Sequence, residues 1–170
     1  RTSLHRGRND EIGIADYARI AQLYQWLYID KYSNFNPQYT EEFLRCWHQA
    51  DLLEFDGFRD ERGELQCVVG LFRQGNTNTA PIVGYNTALP QKTGLYRLLT
   101  ACAYETTMSR GFRLNFSAGA AEFKRLRGGR AALEYSAVYA NHRPLRTRRA
   151  INTLSQLTLK LGVPFIRRYQ

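Results

Sequence analysis

The sequence predicts an α+β fold of mixed α/β character: a mostly antiparallel central sheet flanked by helices, in the order ααβββαβαβα. Three observations predict it. Hydrophobic spacing changes from the helical period to the strand period near Leu52, and it changes back after Pro90. Three strand-like runs follow one another with only short turns between them. At 170 residues the chain suits one domain, which at that size buries roughly 70% of the surface its unfolded form exposes. Residues 1–13 precede the first periodic segment and read as a flexible N-terminal stretch.

Each element has its own signal. Residues 14–29 place Tyr17, Ile20, Tyr24, Leu27 and Tyr28 on one helical stripe, with Asp16 in the first turn, where the dipole favours a carboxylate. Asn34 to Pro37 breaks that helix. Thr40 is the expected N-cap of a second, with Glu41 and Glu42 in its first turn and Phe43, Leu44 and Trp47 facing inward. Leu52–Phe58 and Leu65–Phe72 read as strands joined by Asp60-Glu61-Arg62-Gly63. Gln74–Thr79 reads as a turn and Ala80–Ala88 as a third strand. After Pro90 a helix carries Leu95, Leu98, Leu99 and Cys102 and ends near Gly111. Phe112–Phe116 is a short strand, and helix 119–127 stops at Gly128-Gly129. Alternating Leu133, Tyr135, Ala137 and Tyr139 predict a further strand over Ala131–Ala140. Pro144 opens a last helix with Leu154, Leu157 and Leu161.

Charge is unevenly placed. Residues 1–85 hold nine Lys/Arg and twelve Asp/Glu, whereas residues 86–170 hold fifteen and three, so the net charge of +9 resides in the second half. That half needs an anionic partner or a solvated basic face. The three cysteines and three histidines stand at spacings that suit neither a disulfide framework nor a metal site, and no metal is expected. Nothing approaches a membrane-spanning run and no secretory leader is read, so a reducing cytoplasm is the expected compartment.

Four constellations could carry chemistry. Leu89-Pro90-Gln91-Lys92-Thr93-Gly94-Leu95-Tyr96 joins a strand to a helix start. Free backbone N–H groups, the Gly94 opening and the Lys92 charge there suit an anion, although ordinary capping by Thr93 or Gln91 explains the same residues. In Gly111–Lys124, Asn115 and Ser117 alternate onto one face of a strand and can reach a ligand at its end, or they cap the next helix while Lys124, about one turn into it, is solvated. Arg143, Arg146, Arg148 and Arg149, with Arg125, Arg127 and Arg130, form a basic cluster that could dock an acidic carrier protein or nucleic acid. No RNP-like, KH-like or helix-turn-helix pattern accompanies it. Finally, Tyr85, Tyr96, Tyr135 and Tyr139 could line a cleft, and a phenol can protonate a leaving thiolate.

The element order, with a helix starting at an anion-binding turn, resembles the GNAT acyltransferases from about Ile14 to Ala140. Gln91 and Gly94 match that family's Gln/Arg-x-x-Gly-x-Gly/Ala loop, while Tyr96 stands where its last small residue would be. Phe116, Gly119, Phe123 and Lys124 match a motif of the Fem-like branch, with Asn115 in place of an Asp. That branch has two repeats and this chain one, which implies the C-terminal portion of a longer protein.

The resemblance implies direct acyl transfer from acyl-CoA, acetyl or longer, to a small-molecule or peptide amine. Val83, Gly84 and Tyr85 would meet the pantetheine arm, and Gln91, Lys92, Thr93 and Gly94 the diphosphate. Glu122 would be the base acting through a water, Tyr85 or Tyr139 the acid, and Asn115, Ser117 and Lys124 the acceptor contacts. An acyl-carrier-protein donor, or a non-catalytic domain binding an anionic partner, are the alternative readings.

Overall fold

Strand β2 (Leu53–Arg59) pairs with β3 (Leu65–Gln74), and β3 with β4 (Thr77–Tyr85), all antiparallel. Strand β1 (His5–Gly7) adds antiparallel to β2, and β5 (Arg113–Asn115) adds parallel to β4, which completes a five-stranded sheet in sequence order. The computed structural model describes residues 3–168 and divides into two compact units, Arg1–Gly119 and Ala120–Gln170. The sheet lies in the first.

Every residue of β3 from Leu65 to Leu71 is buried, as expected of a central strand covered on both faces. Alternation sends Val68 into one core with Phe55, Leu53 and Ile82, where helices α1 (Tyr17–Tyr24) and α2 (Glu41–Gln49) supply Ile20, Leu23 and Leu44. Cys67 and Val69 point to the opposite core, against Leu95, Leu99 and Cys102 of helix α3 (Leu95–Met108). Thr40 caps α2 as expected, its hydroxyl accepting the Phe43 N–H at 3.2 Å. Helix α1 runs on into a wider π-helical segment, Gln25–Asp30.

The hairpin turns follow from local chemistry. Asp60 Oδ1 accepts the N–H groups of Arg62 and Glu64, both at 3.0 Å, and Gly63 takes a φ of 80°. The second turn is tighter than the sequence suggests. Gln74 pairs directly with Thr77, which leaves Gly75-Asn76 as a two-residue loop and moves the start of β4 from Ala80 back to Thr77. The polar run Thr77-Asn78-Thr79 reads as loop, but Asn78 is buried and donates to Thr107 Oγ1 at 3.0 Å.

The N-terminal stretch is also more structured than expected. β1 is anchored by Arg6, which reaches Asp56 of β2 at 3.1 Å and Glu105 of α3 at 2.6 Å. Asp56 is itself buried and accepts from Thr106 at 2.7 Å. At the other end of β2, Arg59 grips Asp16 through two contacts of 2.7 and 2.8 Å.

In the second unit, helix α4 (Ala121–Arg125) ends as the glycines dictate: Gly128 has a φ of 82°, and the Gly129 N–H donates to the Lys124 carbonyl at 2.9 Å. Helix α5 (Leu145–Leu157) continues through a wide turn, Thr158–Gly162, into α6 (Val163–Arg168). The strand expected over 131–140 is absent among the described residues. The segment is irregular, with Tyr135, Val138 and Tyr139 exposed. Alternation marks a segment able to be a strand, but a strand forms only where an edge pairs with it.

Candidate active site

Val83, Gly84 and Tyr85 lie at the C-terminal end of β4, and Gln91, Lys92, Thr93 and Gly94 form the turn before α3. Strand β5 pairs with β4 only over Thr77–Thr79. Beyond Thr79, that edge of β4 has no partner strand among the described residues. The register slips between Gly70 and Phe72, opposite the stretch containing Pro81, whose missing N–H suits an unpaired edge. Past this bulge the pairing is regular. The Asn86 N–H donates to the Gln66 carbonyl at 2.8 Å, so Gly84↔Val68 and Ile82↔Gly70 are the hydrogen-bonded pairs of the ladder. Val83 and Tyr85 are the alternating residues, and their N–H and C=O groups therefore point to the open edge.

Gly84 has a different role from its neighbours. Its α-carbon faces α1, where an added Cβ would meet the Tyr24 nitrogen at 2.6 Å and the Leu23 carbonyl carbon at 2.7 Å. This glycine lets helix and strand backbones touch, and only Val83 and Tyr85 present polar groups to the opening.

The turn before α3 lies next along the chain. Gln91–Thr93 forms a single 3₁₀ turn closed by Thr93 N–H to the Pro90 carbonyl at 2.9 Å and Gly94 N–H to the Gln91 carbonyl at 3.0 Å. Gly94 adopts a left-handed φ of 74° and begins α3, and no side chain caps that end. Neither Thr93 nor Gln91 is therefore the cap that the sequence allowed. Arg97, which the sequence reading passed over, folds back over this turn, with its guanidinium 2.7 Å from the point a Cβ on Gly94 would occupy. A cation in the first turn opposes the helix dipole and is stabilised there by an anion. Basic residues at that position were the available signal.

Tyr85 and Tyr96 lie 6.4 Å apart, centroid to centroid. Tyr28, on the π-helical segment, has its phenol pushed up by burial and then by the phenols of Tyr96, Tyr32, Tyr39 and Tyr85, which converge on it. Tyr28 falls on the inward stripe expected of the first helix, and Tyr32 and Tyr39 carry no sequence signal of their own. The buried thiols are chemically quiet: burial pushes Cys67 up to about 12 and Cys102 up to about 11.

Asn115 and Ser117 are not the caps of the next helix that the sequence allowed: α4 starts after Ala120 with no side-chain cap, while Asn115 Oδ1 accepts the Ser117 N–H at 2.7 Å and Ser117 takes a φ of 55°. Glu122, Lys124 and Tyr139 belong to the second unit. Glu122 is exposed. Lys124 is half-buried, and burial lowers its pKa against the opposing pull of Glu134. Tyr139 is 74% exposed and stacks on His142 at 5.7 Å. No helix is long and apolar enough to cross a membrane among the described residues.

No family model and no curated protein matches the chain. Solved structures do match its fold. A GCN5-related N-acetyltransferase from Ralstonia eutropha superimposes with a TM-score of 0.63 at 11% identity, over 82% of this chain and 100% of its own. An acetyltransferase from Trypanosoma brucei gives 0.61 at 14%, over 81% and 99%. A predicted acetyltransferase from Clostridium acetobutylicum, solved with acetyl-CoA, gives 0.55 at 10%, over 83% and 99%. The parallel β4–β5 pair that parts after three residues, the anion-ready start of α3 and these superpositions together establish that the chain has the GNAT N-acetyltransferase fold.

Proposed function

We propose that this domain transfers an acyl group from acyl-CoA to an amine by direct attack. The observation that carries the reading is the open edge of β4, with the Val83 and Tyr85 backbone groups facing it, in line with the uncapped start of α3. An extended pantetheine arm can add to such an edge as a short strand does. Its diphosphate then meets the first-turn N–H groups of α3 beside Lys92 and Arg97, where dipole and side-chain charge act together. The Arg97 guanidinium lies over Gly94, so a phosphate would meet it there together with the α3 N–H groups.

In the proposed step the neutral amine nitrogen attacks the thioester carbonyl carbon, the C–S bond breaks, and the sulfur takes the phenolic proton of Tyr85. The nitrogen gives up its proton to solvent, and the Tyr85 phenolate takes one back from solvent. Every group in this scheme belongs to the first unit. The donor could equally be an acyl group on an acidic carrier protein, for which the exposed Arg143, Arg146, Arg148 and Arg149 are the candidate dock.

The test is free-thiol release from acetyl-CoA and longer acyl-CoAs, with and without a panel of primary amines. Amine-dependent thiol release is expected. Absence of release across the panel, from a protein that is folded by circular dichroism, overturns the reading.

A further inference from the structure

The helical run that begins at Leu145 has no buried interior. Helix α5, the wide turn Thr158–Gly162 and α6 follow one another without a break, and no residue of the three is buried. At the α-helical rise this is a rod of roughly 35 Å.

Its surface is nonetheless sorted. Ile151, Leu154 and Leu157 recur every third residue and Leu161 follows four later, which places them along one stripe. Arg148, Arg149, Asn152 and Gln156 fall on the other side of α5. Such a stripe ordinarily faces an apolar layer, yet Leu154, Leu157 and Leu161 are 66%, 52% and 67% exposed.

The charge around the stripe identifies its cover. Residues 135–170 hold seven Lys/Arg and no Asp/Glu, so the complementary surface is anionic as well as apolar. A nucleic acid offers phosphates to the arginines but no aliphatic layer to the leucines. Protein grooves are anchored above all by aromatic side chains, and none lies between Pro144 and Val163. An anionic bilayer offers both layers, headgroup charge outside and acyl chains beneath, to a helix lying flat.

We infer that α5 and the wide turn that continues it form a membrane-surface helix. Ile151, Leu154, Leu157 and Leu161 enter the acyl boundary, and Arg148, Arg149 and Lys160 stay with the lipid phosphates. This role is independent of acyl transfer.

Flotation of the whole chain with vesicles of phosphatidylcholine alone, or with about a quarter phosphatidylglycerol, tests it without any acyl donor. Binding to the anionic vesicles is expected to be at least about tenfold tighter and to weaken as salt rises. Leu154→Ser and Leu157→Ser change exposed positions of the stripe and are each expected to weaken it about tenfold. Leu159→Ser carries the same loss of helix propensity two residues off the stripe, and is expected to stay within about twofold. Circular dichroism without vesicles checks that the variants keep the helix content of the wild type. Absence of binding to the anionic vesicles overturns the inference. So does binding that Arg148→Gln and Arg149→Gln abolish while Leu154→Ser and Leu157→Ser leave it unchanged, the signature of a dock for nucleic acid or an acidic protein.

Discussion

Gly84 of β4 lies so close to Tyr24 of α1 that a Cβ on the glycine would sit 2.6 Å from the Tyr24 nitrogen. The obstacle is backbone, which cannot swing aside as a side-chain tip can. Gly84→Ala is therefore expected to cost about 1–3 kcal/mol, read as a lower urea midpoint. Gly13→Ala, where a Cβ meets nothing within 4 Å, is the control and should stay within about 0.5 kcal/mol.

His48 makes stability fall in mild acid. Asn9 Oδ1 accepts the Phe55 N–H at 2.7 Å and faces His48 Nε2 at 2.9 Å, so Nε2 carries the proton and Nδ1 accepts from the Tyr17 hydroxyl at 2.8 Å. The folded protein thus holds a neutral imidazole, and burial lowers its pKa from 6.5 despite the pull of Asp51. The unfolded chain binds the proton first as pH falls. Stability is full above about pH 6.5 and is lost below it, down to the folded-state pKa. Urea midpoints at pH 7.5 and 5.5 should differ in the wild type and converge in His48→Gln.

Asp16 and Arg59 tie the start of α1 to the end of β2. Burial opposes ionisation of Asp16, but the Arg59 hydrogen bonds, the Gly13 N–H and the guanidinium charge outweigh it and hold its carboxyl below the usual range. Asp16→Asn keeps the shape and removes the charge, with an expected loss of about 1.5–3 kcal/mol. A thermal melt at neutral pH measures it, and an unchanged melting temperature would show the pair to be dispensable.

Arg97 is expected to contribute to donor affinity and not to stability. Arg97→Ala should weaken acetyl-CoA about tenfold, in keeping with the loss of one charge-assisted contact, and should flatten the salt dependence of binding. Its melting temperature should match the wild type. Titration calorimetry at two salt concentrations reads both effects.

Much of the frame was legible in the sequence, because the signals were local. Thr40 with Glu41 and Glu42 marks a helix start, and Asp60 to Gly63 marks a turn, whatever surrounds them. The misses are tertiary. Residues 5–7 form a strand because Arg6 finds Asp56 and Glu105, fifty and ninety-nine residues away. Asn78 is strand because Thr107 satisfies its amide, and 131–140 alternates like a strand but is irregular. Gly94 was legible as the glycine of a turn before a helix, and it takes a left-handed φ of 74° there. Gly84 was read as a ligand contact, whereas its geometry is that of a packing glycine. Arg97 was not legible, because only the folded turn brings its guanidinium over Gly94.

The β4 edge and the start of α3 are the proposed seat of an acyl-CoA. Titrating acetyl-CoA into ¹⁵N-labelled protein tests it most directly. Saturable shifts of the Val83 and Tyr85 amides, together with those of Leu95 and Arg97, are the expected result. Absence of binding, or shifts confined to residues away from β4 and α3, would contradict it.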